Sequence, residues 1–207
     1  MKHKLRRLGL TALILAVCLM FCGCENKNPL PKQDTIEASD NSFGARYTFT
    51  LDEFTEDAAD ELGEDFELTK DGWEIISGEL VDDNSIGYSS YCQHAGDFTF
   101  TVAVENESGK VMNIGCGCDS KRLEDTEFQD NFVALCARMA IIAGGYEDKQ
   151  LDFFVGIFAL LLNSDNEIVS HGESLYIKSV DDAATVLMTA PCSEDIIEKN
   201  HYQVINQ

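Results

Sequence analysis

Apolar residues recur at helical spacing in three stretches of the chain and cluster into strand-like runs in seven others. Leu51, Phe54, Ala58 and Leu62 fall on one face of a helix over 51–62. Thr50 and Glu53 have the spacing of a capping box, in which each side chain accepts the other residue's backbone N–H. Phe49 stands where it can staple onto Phe54, and Gly63 suits the position just past the end. Phe128, Phe132, Leu135, Met139 and Ile142 make a second stripe. It opens at Asp125-Thr126, with Gln129 at capping-box spacing from Thr126, and closes at Gly144-Gly145. A third helix is expected from near Asp148 through Leu162. Its run from Phe153 to Leu162 is apolar but for Gly156, which predicts burial nearly all round. That run is too short for a bilayer, which takes about 20 apolar residues.

Between the first two helices, 73–77, 87–94, 98–105 and 110–118 are rich in β-branched and aromatic residues. Alternation is clearest at Phe98, Phe100, Val102 and Val104. The stretch Glu105 to Lys110 reads as a hairpin turn, with Gly109 free to take positive φ. After the third helix, 167–170, 174–180 and 185–190 read as three more strands, and a short last helix is expected near 193–199. Adjacent strands joined by turns and interrupted by helices predict an α+β fold: an antiparallel sheet of hairpins with three main helices packed on it. Gly87-Tyr88 and Gly172-Glu173 each precede a hairpin, a faint internal echo.

The first 24 residues break this pattern. Lys2, Lys4, Arg6 and Arg7 precede an apolar stretch from Leu8 to Phe21, and Cys22-Gly23-Cys24 gives way to the polar Glu25-Asn26-Lys27-Asn28. A basic start and a short apolar run are the makings of a secretion signal. The segment resembles a bacterial lipoprotein signal of the Gram-positive type, with Phe21-Cys22-Gly23-Cys24 standing where such signals carry their lipobox. Gly23 fits the position before cleavage, while Phe21 and Cys22 depart from the usual residues. The resemblance implies a signal peptide over 1–23 and a diacylglyceryl thioether on Cys24. It also implies a domain held at the extracytoplasmic face of the cell membrane, because two acyl chains give a lasting anchor where one does not. Residues 24–41, with Pro29 and Pro31 and few large apolar side chains, read as the lipidated cysteine and a flexible spacer. The ectodomain is then 42–207, and two small subdomains of about 42–120 and 121–207 are also compatible with this length.

Charge sharpens that picture. The whole chain carries 15 Lys and Arg against 37 Asp and Glu, a net −22, and all the acids lie beyond residue 24. Without the signal, 11 basic residues face 37 acidic ones, a net −26. Such a domain has no footprint for nucleic acid, whose binding rests on Lys and Arg displacing counterions. It is also held off an anionic envelope except through its lipid. The membrane, an envelope protein and a small cationic ligand are therefore the expected partners, and no cofactor is expected.

Three groups of residues are candidates for chemistry. Cys92 with His94, and Cys116 with Cys118, are i, i+2 pairs on predicted strands, so each pair points to one face. By ligand type they suit zinc, but sulfurs two residues apart on a strand lie about 6–7 Å from each other, wide for one tetrahedral ion. The expectation is no metal. Five cysteines remain in the ectodomain (Cys92, Cys116, Cys118, Cys136, Cys192), an odd number that precludes complete pairing within one chain. They read as buried thiols. No nucleophile motif is present, and Cys192 with His171 makes only a nominal dyad.

The third group is the acidic helix. From Asp52 to Glu67 nine of sixteen residues are acids and none is basic. Asp52, Glu53, Glu56, Asp57, Asp60, Glu61, Glu64 and Asp65 form like-charge i, i+4 pairs, each costing about 0.2–0.5 kcal/mol within true helix. Cations, a cationic partner or tertiary Lys and Arg would offset that repulsion. The segment Asp82 to Gly87 has some offsets of a calcium loop, but Ile86 and Gln93 stand where ligands are required. The chain as a whole resembles small surface lipoproteins of unknown function. The leading expectation is a non-enzymatic binding or interaction domain in the envelope. The second is a domain that binds cations or a cationic ligand on its acidic face, and the third a hydrolase without a readable motif.

Overall fold

The described residues begin inside the stretch expected to be spacer. The computed structural model describes residues 34–205 except 63–65, 67 and 182. The signal and Cys24 therefore lie outside the described residues, as do Glu64 and Asp65. A hairpin of β1 (Ile36–Ala38) and β2 (Ala45–Tyr47) comes first. Asn41 in its loop is buried, with its side-chain amide donating to the Ala45 carbonyl at 2.8 Å. Then follow α1 (Leu51–Leu62), β3 (Glu74–Val81), β4 (Gly87–Ala95), β5 (Phe98–Glu105) and β6 (Val111–Asp119). The second half runs α2 (Thr126–Gly144), α3 (Leu151–Asn163), β7 (Ile168–His171), β8 (Ser174–Val180), β9 (Ala184–Pro191), α4 (Glu194–Asn200) and β10 (Gln203–Val204).

Eight strands form one sheet in the order β10-β7-β8-β9-β6-β5-β4-β3. The architecture is α+β, but the sheet is mixed: every pair is antiparallel except β10 with β7, which is parallel. The cause is the connection. Two hairpins leave β9 running in the direction of β7, α4 carries the chain back, and the next strand repeats β7's direction at its outer edge. Pairing of β6 with β9 from Ile114↔Thr189 to Asp119↔Ala184 fuses the two halves into one sheet, so the backbone is not divided near residue 120. Gly87 opens strand β4 whereas Gly172 sits in a turn at φ +58°, so the two echoing glycines occupy unlike places.

Register decides what each face carries. Phe98, Phe100 and Val102 lie opposite Cys118, Cys116 and Ile114, which in turn face Thr185, Leu187 and Thr189. This face meets α1, α2 and α3 through Phe54, Phe132, Met139, Phe154 and Phe158, all at most 2% exposed. Each fully buried Phe contributes about 1.5–3 kcal/mol of transfer free energy. The opposite face presents Ser90, Cys92, His94, Thr99, Thr101, Val186 and Met188, half-buried or exposed. Among the described residues its β7–β8 end is covered, where Leu175 and Ile177 pack with Cys192, Ile196, Ile197 and Phe43. In the middle of that face, a Cβ on Gly115 would fall 2.6 Å from Thr101 Oγ1 and 2.7 Å from Met188 Cγ, so only glycine lets those side chains close over β6.

Helix ends follow local chemistry. The Thr50–Glu53 box is formed, with Thr50 N–H donating to Glu53 at 2.7 Å and Glu53 N–H to Thr50 Oγ1 at 3.3 Å. At α2 the cap is Asp125 rather than Thr126: its carboxylate accepts from the N–H groups of Glu127 and Phe128. Gly145 ends α2 in the left-handed region. Helix α3 is one-sided rather than buried all round. Phe154, Ile157, Phe158 and Leu161 are buried while Leu160 is 36% exposed, because α2 and β8 cover a single flank. No helix among the described residues is long and apolar enough to cross a membrane.

Candidate ligand cleft

The β4–β5 turn, the C-terminal end of α1 and the start of α2 meet around a row of phenylalanines. Phe98 follows the turn at Gly96-Asp97. Its ring lies 5.2 Å from that of Phe128 with the planes 14° apart, and 6.0 Å from that of Phe132. Phe66 leans on Phe98 at 5.9 Å. The row is held by its backbone: Asp125 caps α2 immediately before Phe128, and Asp119 caps the single turn of 3₁₀ helix, Ser120–Glu124, that precedes it. Arg122 projects from that turn. Its guanidinium stands 4.4 Å from the centre of the Phe128 ring and donates from Nη1 to Asp97 Oδ1 at 2.8 Å.

These residues border a cleft of about 740 Å³. Along α2 its wall is Glu127, Asn131, Ala134 and Arg138, which share a side of the helix by their spacing of three and four. At a rise of 1.5 Å per residue that wall is about 16 Å long. Glu61 and Leu62 close the opposite side. Four carboxylates (Glu61, Asp97, Asp125, Glu127) face two guanidiniums (Arg122, Arg138). Asp97 is taken by Arg122 and one oxygen of Asp125 by the helix cap. Among the described residues the lining holds no thiol, imidazole or hydroxyl. It presents aromatic faces, carboxylates and guanidiniums.

Among the described residues the acidic helix brings one carboxylate to this site, Glu61, beside Leu62. Asp52, Glu53, Glu56, Asp57, Asp60 and Glu61 are all exposed on α1. Glu53 is spent on the cap, and hydrogen bonds from Thr50 hold its carboxyl below the usual range. Glu56 pairs with Lys70, and Glu61 lines the cleft. Glu64 and Asp65 are not described. Asp82 accepts from the N–H groups of Ser42, Asn84 and Ile86 and thereby ties the loop of the first hairpin to the sheet.

The four zinc-type residues are not brought together. Cys92 is opposite Thr101 on β5 while Cys116 is opposite Phe100, and neighbouring residues of one strand point to opposite faces. Cys92 and His94 thus share the open face, whereas Cys116 and Cys118 point into the core. Among the described residues no three His, Cys, Asp or Glu side chains converge as a metal site. Burial pushes the Cys118 thiol up to about 12, and burial with a hydrogen bond to Cys116 raises Cys136 well above its ordinary value.

The nominal dyad also separates. Cys192 is buried against Leu175 and Ile197, its S–H directed to the Ser193 carbonyl and its thiol pushed up to about 11 by burial. His171 points to the helix side, its ring edge-on to Phe153 at 4.6 Å and its Nδ1 donating to the Ile205 carbonyl at 2.7 Å. Burial lowers its pKa, and among the described residues Nε2 has no hydrogen-bond partner.

Sequence reasoning missed the principal residues of the cleft: Asp97, Phe98, Arg122, Phe128 and Arg138. Phe98 and Phe128 were legible only as core positions of a strand and a helix. The one local signal was polar residues at 127, 131 and 138 on the uncovered side of an amphipathic helix. No family model, no curated protein and no solved structure matches this chain.

Proposed function

We propose that this chain is an envelope-anchored lipoprotein whose exported domain binds a ligand without transforming it, in the cleft between α1 and α2. The anchor rests on the resemblance of Phe21-Cys22-Gly23-Cys24 to a lipobox. The binding reading rests on one observation: a cleft of about 740 Å³ with an aromatic floor and a charged rim. Concave sites that join apolar area to a few convergent polar groups are where small ligands and peptide segments are held. Glu61 and Glu127 favour a ligand of positive charge. The acidic stripe of α1 adds to this through its end rather than as a metal site of its own.

The test uses the full mature protein in detergent, titrated with size-fractionated small molecules and peptides from a bacterial envelope. Amide and ring signals of Phe98, Phe128 and Leu135 are expected to shift with at least one fraction. Ala134→Trp, which fills the middle of the cleft from a half-buried position, should abolish the shift while the protein stays folded. A fraction that binds this variant as well as the parent would remove the cleft from the proposal. The anchor is tested separately, by the mass of the N-terminal peptide after growth with an alkyne-labelled fatty acid and its change in Cys24→Ala.

A further inference from the structure

We infer that the ligand is a peptide carrying an arginine side chain, and that Arg122 is the chain's own occupant of that side chain's subsite; this rests on the cleft being the binding site. Two features define a receptor for a guanidinium, an aromatic face and a carboxylate in reach of the same group. Phe128 and Asp97 supply both to Arg122, at 4.4 Å and 2.8 Å. The aromatic face is fixed, while the Asp97 and Arg122 side chains are both about half exposed. Phe128 is 8% exposed and stacked on Phe98, and Asp97 sits in a two-residue turn after Gly96 at φ +58°. Arg122 stands on a single turn of 3₁₀ helix with its side chain 48% exposed, so it can swing into water without disturbing the core.

Once Arg122 leaves, its subsite offers an unpaired carboxylate and a bare aromatic face to an incoming guanidinium. Glu127 and Glu61 add negative potential nearby, and the strongly acidic domain steers cations inward. The wall along α2, about 16 Å, matches four to five extended residues at about 3.3 Å each. Arg138 at its far end suits a carboxylate on the same segment. That length and that second charge favour a peptide over a free amine.

The experiment titrates the full mature protein with acetyl-Ser-Arg-Phe-Ser-Glu-amide and with its citrulline counterpart, which keeps the shape and removes the guanidinium charge. Shifts of the Phe98 and Phe128 signals are the readout. The arginine peptide is expected to bind about tenfold more tightly than the citrulline one. Arg122→Gln should tighten it a further fivefold or so, equal to about 1 kcal/mol, since no resident cation then has to be displaced. Arg122→Lys should fall between, and adding Asp97→Asn to Arg122→Gln should remove the gain. Three results would overturn the inference: equal binding of both peptides, no tightening in a folded Arg122→Gln, or saturation by spermidine at lower concentration than by the peptide. If the arginine peptide fails while envelope fractions still shift Phe98 and Phe128, the cleft stands and the guanidinium subsite falls. If the arginine peptide binds Ala134→Trp undiminished, the cleft itself is wrong.

Discussion

Two arginines of this chain each meet a carboxylate, and the two contacts do different work. Arg46 on β2 donates to Glu37 across its own hairpin at 2.8 Å and to Glu105 at the end of β5. The Glu105 side chain is 5% exposed and also accepts from the hydroxyls of Ser39 and Ser108. Arg122 meets Asp97 at 2.8 Å with both side chains about half exposed. The partners are chemically alike, but the surroundings are not. Where water is excluded, removing one partner strands the other's charge; where water is at hand, the pair dissolves for about 0–1 kcal/mol. The first contact clamps the N-terminal hairpin to the sheet. A contact that a ligand is to displace has to be of the second kind.

The largest effect that tests this contrast is on the clamp. Arg46→Met is expected to lower stability by about 3 kcal/mol, the low end for a broken buried pair because Ser39 and Ser108 still donate to Glu105. Urea unfolding measures it. Glu105→Gln in the same chain should restore more than half, because the stranded charge is gone; a double variant as unstable as the single one would show that packing, not charge, sets the cost.

Acid should loosen the same hairpin. Burial alone would raise the Asp82 carboxyl, but N–H donation from Ile86, Ser42 and Asn84 outweighs it and holds the group below its usual range. A carboxyl with a depressed folded pKa lends stability above its unfolded value, about 3.9, and that stability is lost as pH falls through the folded value. Hydrogen exchange at Phe43 and Gly44 should therefore quicken below about pH 4 before exchange in α2 does. Asp82→Asn should flatten that dependence, and equal acceleration in hairpin and helix would remove Asp82 from the account.

How legible these regions were depends on how far apart in the chain their determinants lie. Helix α1 was readable to the residue because Thr50, Glu53 and the stripe from Leu51 to Leu62 are all local. Strand β1 was not, since three residues beside acids and serines pair with β2 only with tertiary support from Arg46, Asn41 and Glu105. Two-residue β10 carries no pattern at all. The pairs Cys92–His94 and Cys116–Cys118 were rightly placed on single faces. Yet one intervening strand, with registers Cys92↔Thr101 and Phe100↔Cys116, turns the two pairs away from each other. Charge density drew attention to α1, where like residues sit side by side. The cleft is made of unlike residues, with Asp97 and Arg122 joined across 25 positions, and no local pattern announces that.

The smallest effect is the most discriminating. Arg122→Gln should cost no more than about 1 kcal/mol of stability, even though it breaks both an ion pair and a cation–π contact, because the Asp97 carboxylate it frees remains hydrated. Salt separates this deficit from the one at Arg46. Between 0.01 M and 1 M the screening length falls from about 30 Å to about 3 Å, which erases most of what an exposed pair contributes and little of what a buried one does. Unfolding at the two ionic strengths should therefore shrink the Arg122→Gln deficit toward zero while the Arg46→Met deficit persists. Were both to fade together, Glu105 would be solvated as freely as Asp97. The hairpin would then be held by packing alone, and Arg122 would have no special claim to be the contact that gives way.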